Sequence, residues 1–298
     1  MTPRRPTPAV ALLTLTGAAL VAPLLVDDRP ILARRLDGSL AWPALVERSW
    51  SEADGVALVN PPLHQSWRAV HLEEALRPPS LQHPCGTDAL GRDLLARVLH
   101  GARLSILVGL GATGFALAAG LLLGGTAALR GGWADLGLSR LIETLTCFPP
   151  FVLAMALVAV RGGGVGSMIV AIGIGRTASA ARFARTEVLR WRGTGVWLAA
   201  RASGGSRGHA AIRHLLPLLA DHLSIQAAFG VAQAILLEGG LSFLGLGVPA
   251  PIPSWGNILA DGRSTLEIAW WPVVIPALGL AAVLAFLLRS GSSSPESA

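Results

Sequence analysis

RFARTEVLRWRGTGVWLAARASGGSRGHAAIRHLLP, residues 182–217, decides how the rest of the chain is read. Arg182, Arg185, Arg190, Arg192, Arg201, Arg207 and Arg213 stand against a single acid, Glu187, and long apolar segments flank the stretch on both sides. At the centre of a bilayer each arginine costs about 2.5–3.5 kcal/mol on insertion scales, so this stretch belongs in water. Short loops rich in arginine stay on the cytoplasmic side, and the segment therefore orients the helices around it. Its pattern predicts helix, turn, helix. Residues 196–202 are helix-compatible, Gly204-Gly205-Ser206 breaks the run, and 210–216 resumes it before Pro217. A helical hairpin held in the cytosol is a docking knob.

The whole composition points the same way. Of 298 residues, 52% are hydrophobic and only 14% charged, with a mean hydropathy of +0.56, which is the usage of a polytopic membrane protein. The formal charge of +6 lies largely in the arginine-rich loop, so membrane orientation explains it better than nucleic acid does. Every basic side chain is arginine. Without a lysine the chain has no phosphate-cradling loop of the usual kind, and no nucleophile elbow or HExxH motif accompanies its Ser, His and Asp residues. Cys85 and Cys147 have no metal-ligand spacing, and the topology below separates them, so neither a bridge nor a metal is expected; no cofactor is implied either.

Six crossings are predicted, with both ends inside. Residues 8–26 form an apolar run of about 19 residues, long enough for one span, and Arg4 and Arg5 before it place the N-terminus in the cytoplasm. An uncleaved helix is favoured over a signal peptide because no A-x-A site follows. Residues 27–79 read as an irregular extracytoplasmic cap. In the next stretch Thr87 or Asp88 can cap a helix whose apolar positions 90, 94, 95 and 98 share a face, an amphipathic turn at the outer interface. The further crossings are 104–129, 141–160, 165–181, 218–237 and 266–288. Pro149-Pro150 kinks the third, Arg176 and Arg182 snorkel from the fourth, and residues 238–265 return outside. The domain plan is an N-terminal helix at 1–26, a loop and interfacial helix at 27–100, a transmembrane domain at 101–289 with the loop 182–217, and a disordered tail at 290–298.

Three blocks then agree with one family. HPCGTDALGRDLLARVLHGARLSILVGL at 83–110, LAARASGGSRGHAAIRHLLP at 198–217 and LLEGGLSFLGLGVPAPIPSWGNILADGR at 236–263 resemble the permease subunits of ABC importers for peptides and nickel, in particular the second permease of the dipeptide/oligopeptide/nickel group. The resemblance covers about two-thirds of the chain. It implies an all-α, six-helix type I importer permease that pairs with a homologous permease, two cytoplasmic ATP-binding subunits and an extracytoplasmic solute-binding protein. The loop after the fourth helix would be the EAA loop, which docks in a groove of the ATPase. Ala199 and Ala200 match its two alanines, Gly204 its glycine, and Ile212, Arg213, His214, Leu216 and Pro217 its closing segment; Arg201 lies within it. Leu198 stands where the family has its Glu, and Arg176 where relatives commonly carry an aromatic residue.

On the fifth helix His222, Gln226 and Gln233 are spaced by four and seven and share one face. A polar stripe in a membrane helix faces a cavity or another helix, so the three either line the translocation path or bond to a neighbouring helix. Glu143 suits an ion pair near the cytoplasmic face. A membrane enzyme built on Glu143 and His222 lacks any catalytic spacing, and a passive scaffold would need no coupling hairpin. Peptides are the first substrate class and nickel the second, since seven scattered histidines do not favour a metal.

Overall fold

A computed structural model describes residues 7–27, 29–43, 54–63, 65–204 and 206–291. The expectations for Arg4, Arg5, Gly205 and the tail beyond residue 291 lie outside the described residues. The chain is mostly helical. Its elements are α1 (Pro8–Leu25), strands β1 (Leu32–Arg35), β2 (Leu40–Ala41) and β3 (Gly55–Val59), then α2 (Leu94–Arg130), α3 (Gly132–Thr146), α4 (Pro150–Arg161), α5 (Val165–Arg192), α6 (Gly195–Ala202), α7 (Arg207–Ala210), α8 (Ala220–Phe243), α9 (Trp255–Arg263) and α10 (Trp271–Gly291).

Helices α2, α8 and α10 are each long and apolar enough to cross a membrane. Helices α3 and α4 qualify together but meet at an 84° bend, where Pro149 and Pro150 remove backbone donors and stop the first helix. With the apolar α1 and the 28-residue α5, this set is consistent with six crossings. The kink foreseen from the proline pair is a full break.

Two compact units emerge. The first comprises Leu13–Leu107 and Glu238–Ala285. Here residues 27–79 are more regular than expected: β1 pairs antiparallel with β2 and β3, giving the order β2-β1-β3. In the same unit Val26, Trp67 and Ala96 form a small core with Leu99 against it. Asp27 is fully buried, and Arg29 closes on it with Nη2 to Oδ2 at 2.6 Å and Nε to Oδ1 at 2.9 Å. The segment His83–Asp93 departs from the predicted capping. Asp93 caps α2 by accepting the Ala96 N–H at 2.8 Å, while Asp88 is turned into a buried charge cluster. No break separates the amphipathic turn from the following span, because the helix runs unbroken from Leu94.

Residues 238–243 also behave differently from the predicted outer loop. Helix α8 continues through them, and Glu238 is fully buried, its two oxygens accepting the hydroxyls of Ser105 at 2.6 Å and Ser242 at 2.7 Å. These hydroxyls satisfy a carboxylate that would otherwise oppose burial. The chain then turns, and Ser254 starts α9 with a reciprocal cap to Asn257. Two indoles fasten this region: Trp255 Nε1 donates to the Val98 carbonyl at 3.1 Å and Trp271 Nε1 to that of Thr87 at 3.0 Å.

The second unit comprises Met1–Leu12, Val108–Leu237 and Phe286–Ala298. Helices α2 and α5 pack closely there, and the cause is glycine: a Cβ on Gly124 would lie 1.9 Å from the Ala181 carbonyl oxygen. Just beside this contact α2 contains a π-helical turn, Leu121–Gly125. Arg185 on α5 grips Asp135 on α3 through two bonds of 2.7 and 2.8 Å.

Candidate functional site: the arginine-rich hairpin

Helix α5 does not stop at the membrane boundary assigned to the fourth crossing. It runs on to Arg192, so Arg182, Arg185, Arg190 and Arg192 lie on a continuous helical extension of the span. Gly193 ends it, Thr194 turns extended, and α6 begins at Gly195. Gly204 follows with φ +85°, a left-handed conformation that glycine adopts without steric penalty. Ser206 then caps α7 by accepting the His209 N–H at 3.2 Å, and a π-helical turn, Ala211–Leu215, leads through Leu216–Leu218 to α8. The predicted helix, turn and helix are all present.

One side of this hairpin is anchored and the other is free. Trp197, the buried residue of α6, joins Ala128 of α2, Val188 of α5, Ala210, Leu215 and Leu219 in one apolar cluster. Around it, Arg192 Nη1 donates to the Ala128 carbonyl, and Arg207 Nη1 donates to the carbonyls of Leu129 at 3.3 Å and Arg130 at 3.2 Å. On the opposite side Leu198, Ala199, Arg201, Gly204, Ile212, Arg213, His214 and Pro217 are exposed, and Ala200 is half-buried against the cluster. Leu198 and Ile212 are large apolar side chains left 61% and 71% exposed. The rings of His209 and His214 meet edge to face at 6.2 Å between centroids. Trp197 thus packs α6 against α2 and α5.

The polar positions of α8 take different surroundings. His222 is half-buried, and its Nδ1 is buried with no hydrogen-bond partner among the described residues. Gln226 is half-buried and Gln233 exposed. Gln233 Oε1 accepts from Arg176 Nη2 at 2.9 Å, while Arg176 Nη1 donates to the Gly230 carbonyl. Arg176 is 6% exposed, so it does not snorkel to the cytosol as its sequence position suggested; it ties α5 to α8. Its guanidinium could not be recognised from sequence as the partner of Gln233, because 57 residues separate them. Glu143 bonds its helical neighbour Arg140 at 2.8 Å on an exposed face.

A second polar cluster, in the first unit, had no role in the sequence reading beyond its motif. Asp88 accepts the N–H groups of Leu90 at 2.8 Å and Arg92 at 3.0 Å, Arg92 Nε at 2.7 Å, and Arg97 Nη1. Asp261 of α9 shares one oxygen between Arg97 Nη2 at 3.0 Å and Arg92 Nη2 at 3.4 Å. The GTDxxGRD pattern is thus a carboxylate clamp. Among the described residues no group of three or more His, Cys, Asp or Glu side chains is arranged to hold a metal ion.

Several apolar helices long enough to cross a membrane, together with one anchored, arginine-rich hairpin, are the features of an integral membrane protein. Residues 116–291, more than half of the chain, match the family described as binding-protein-dependent transport system inner membrane component, and the chain belongs to that family. It is therefore a multi-pass permease component of the bacterial inner membrane, working with ATPase and substrate-binding partners, and its contribution is the transport path rather than an enzymatic step. It is 41% identical over 211 residues to a putative peptide permease protein of Brucella suis biovar 1, covering 70% of this chain and 69% of that one. It is 36% identical over 219 residues to the dipeptide transport system permease protein DppC of Alkalihalophilus pseudofirmus, covering 74% and 72%. It is also 39% identical over 193 residues to the di/tripeptide transport system permease protein DppC of Pseudomonas aeruginosa, covering 65% and 64%.

Proposed function

We propose that this chain forms half of the translocation pathway of an ATP-driven importer of di- or oligopeptides. Its partners in this reading are a homologous second permease, two cytoplasmic ATP-binding subunits and an extracytoplasmic solute-binding protein. The similarity to permeases named for peptides and dipeptides over about 70% of the chain carries the substrate class. The transmembrane domain is assigned to residues 101–289, with the coupling loop at 182–217.

In the cycle, closure of the ATPases on ATP displaces the exposed surface of the hairpin. Ala199 and Ala200 permit close approach there, and Leu198 and Ile212 supply apolar contact. Leu198 occupies the place of the family Glu, so this contact is made by burial where relatives use charge. The anchored cluster around Trp197 passes the displacement to α2 and α5, and the cavity between the two permeases opens toward the binding protein; hydrolysis resets it. ATP drives the change because it binds the closed ATPase state preferentially. Within the path, His222 and Gln226 offer hydrogen bonds to a peptide backbone, and Gln233 is held in place by Arg176.

The reading is tested by uptake in a strain lacking the chromosomal copy, complemented with this chain. Labelled di- and oligopeptides are expected to enter and nickel is not. Uptake of nickel with no peptide transport would overturn it. At the path itself, Gln226→Leu is expected to lower peptide uptake severalfold with the ATPases still assembled; unchanged uptake would assign the α8 stripe to helix packing alone.

A further inference from the structure

The second unit contains a groove of about 440 Å³ beside the anchored cluster, and it shares Ile212 with the exposed surface of the hairpin. Its walls are Leu121, Leu122 and Leu129 of α2, Val188 of α5, and Ile212 and Leu216 beyond α7. The lining is almost wholly apolar, and Leu122 is 67% exposed within it. A π-helical turn stands on each wall, Leu121–Gly125 and Ala211–Leu215. Such a groove is suited to a flexible hydrocarbon chain.

Its mouth has the opposite chemistry. Arg207 Nη1 reaches the Leu129 and Arg130 carbonyls, which places the guanidinium at the Leu129 end of the groove, next to Arg130 in the chain. These are the last carbonyls of α2, which hold the guanidinium at the helix end but supply no full negative charge. Among the described residues neither Arg130 nor Arg207 has a carboxylate partner, and Asp135 is already engaged by Arg185. Arg207 therefore stands at one end of an apolar groove without a carboxylate partner among the described residues, with Arg130 following Leu129 in the chain, on the side that the arginines mark as cytoplasmic. A soluble anion would satisfy the arginines and leave the groove empty, whereas a neutral hydrocarbon would do the reverse. An anionic phospholipid satisfies both.

We propose that this groove is a binding site for one anionic phospholipid of the cytoplasmic leaflet, with an acyl chain along Leu121, Leu122 and Leu129 and the phosphate at Arg130 and Arg207. The lipid fills the space beside the α2–α5 contact that carries the hairpin's motion, so its occupancy would stiffen that contact.

The test uses the intact transporter complex in mild detergent and in bilayer discs, with bound lipid counted by mass spectrometry. Phosphatidylglycerol is expected to be retained in preference to phosphatidylcholine. Arg130→Gln and Arg207→Gln should each lower phosphatidylglycerol retention about fivefold while leaving phosphatidylcholine unchanged. Arg207→Lys should keep most of the preference, and Leu122→Trp, which fills the groove, should displace both lipids. Equal retention of the two lipids by the unaltered complex overturns the proposal. So does full competition by soluble glycerol phosphate, which would make the site one for a free anion. A cross-link from Leu122→Cys to another subunit of the complex overturns it as well, because a protein would then cover the groove. The arginine variants sit at the surface, and their assembly is checked by the subunit ratio before lipid is counted.

Discussion

Asp88 shows how much one carboxylate can hold in this chain. It binds two buried guanidinium groups and two backbone N–H groups, and Arg92 and Arg97 are 8% and 2% exposed. Removing a partner from a buried ion pair leaves an uncompensated charge at a cost of about 3–5 kcal/mol. Asp88→Ala is therefore expected to reduce the amount of assembled permease in the membrane sharply, read by subunit abundance and by the thermal midpoint of the purified complex. Asp261→Ala should do far less, because Asp261 is half exposed and Asp88 continues to satisfy both arginines. The cysteines offer a milder contrast. Burial, with Asp93 close by, pushes the Cys85 thiol above its usual range, so less thiolate is present at any given pH, whereas Cys147 is exposed beside the bend after α3. Alkylation at mildly alkaline pH is expected to modify Cys147 first, with Cys85 following as the pH rises.

At the scale of elements, the hairpin works only if α6 is fixed to the helices it moves. Trp197 makes that connection, and Trp197→Ala should cost about 3–5 kcal/mol of local packing. The expected phenotype is specific: ATPase subunits still bind and hydrolyse ATP, but peptide uptake falls out of step with hydrolysis. Retained uptake at the original stoichiometry would show that the apolar cluster does not transmit the motion. Gly204 governs the turn. A β-branched residue there meets a left-handed backbone, a strain of about 1–3 kcal/mol, so Gly204→Val should weaken co-purification of the ATPases more than Gly208→Ala, which lies in helical conformation. The bend between α3 and α4 was evident from Pro149-Pro150. The run of α5 past residue 181 was not, because arginine is a good helix former and charge alone marks where lipid ends, not where a helix does.

For the molecule as a whole, orientation follows from arginine placement and is open to direct measurement. With Cys85 and Cys147 replaced, Arg201→Cys should react with a membrane-impermeant reagent only in inside-out vesicles. Labelling in intact cells would reverse the topology and with it the site of ATPase docking. The family match places the chain with ATPase partners, and in the proposed cycle what it offers them is a surface. How specific that surface is rests on Leu198, where an apolar side chain takes the position of an acid. Leu198→Glu is expected to preserve or strengthen ATPase binding if the partner retains a basic groove, and to weaken it severalfold if the groove has become apolar. Co-purification distinguishes the two.

The spans, the hairpin and the family were legible in the sequence because each depends on a periodic or compositional signal: hydropathy over about twenty residues, arginine density in a short loop, and three motifs in order. The buried polar contacts were not. Glu238, at the start of an expected outer loop, lies in α8 and accepts from Ser105, 133 residues away, and Arg176, expected to snorkel, places its guanidinium on α8. Local sequence states what a residue prefers in water or in lipid. Only the tertiary structure decides which preference is overridden, because a buried charge or hydroxyl is stable only beside a partner that the fold brings from elsewhere in the chain.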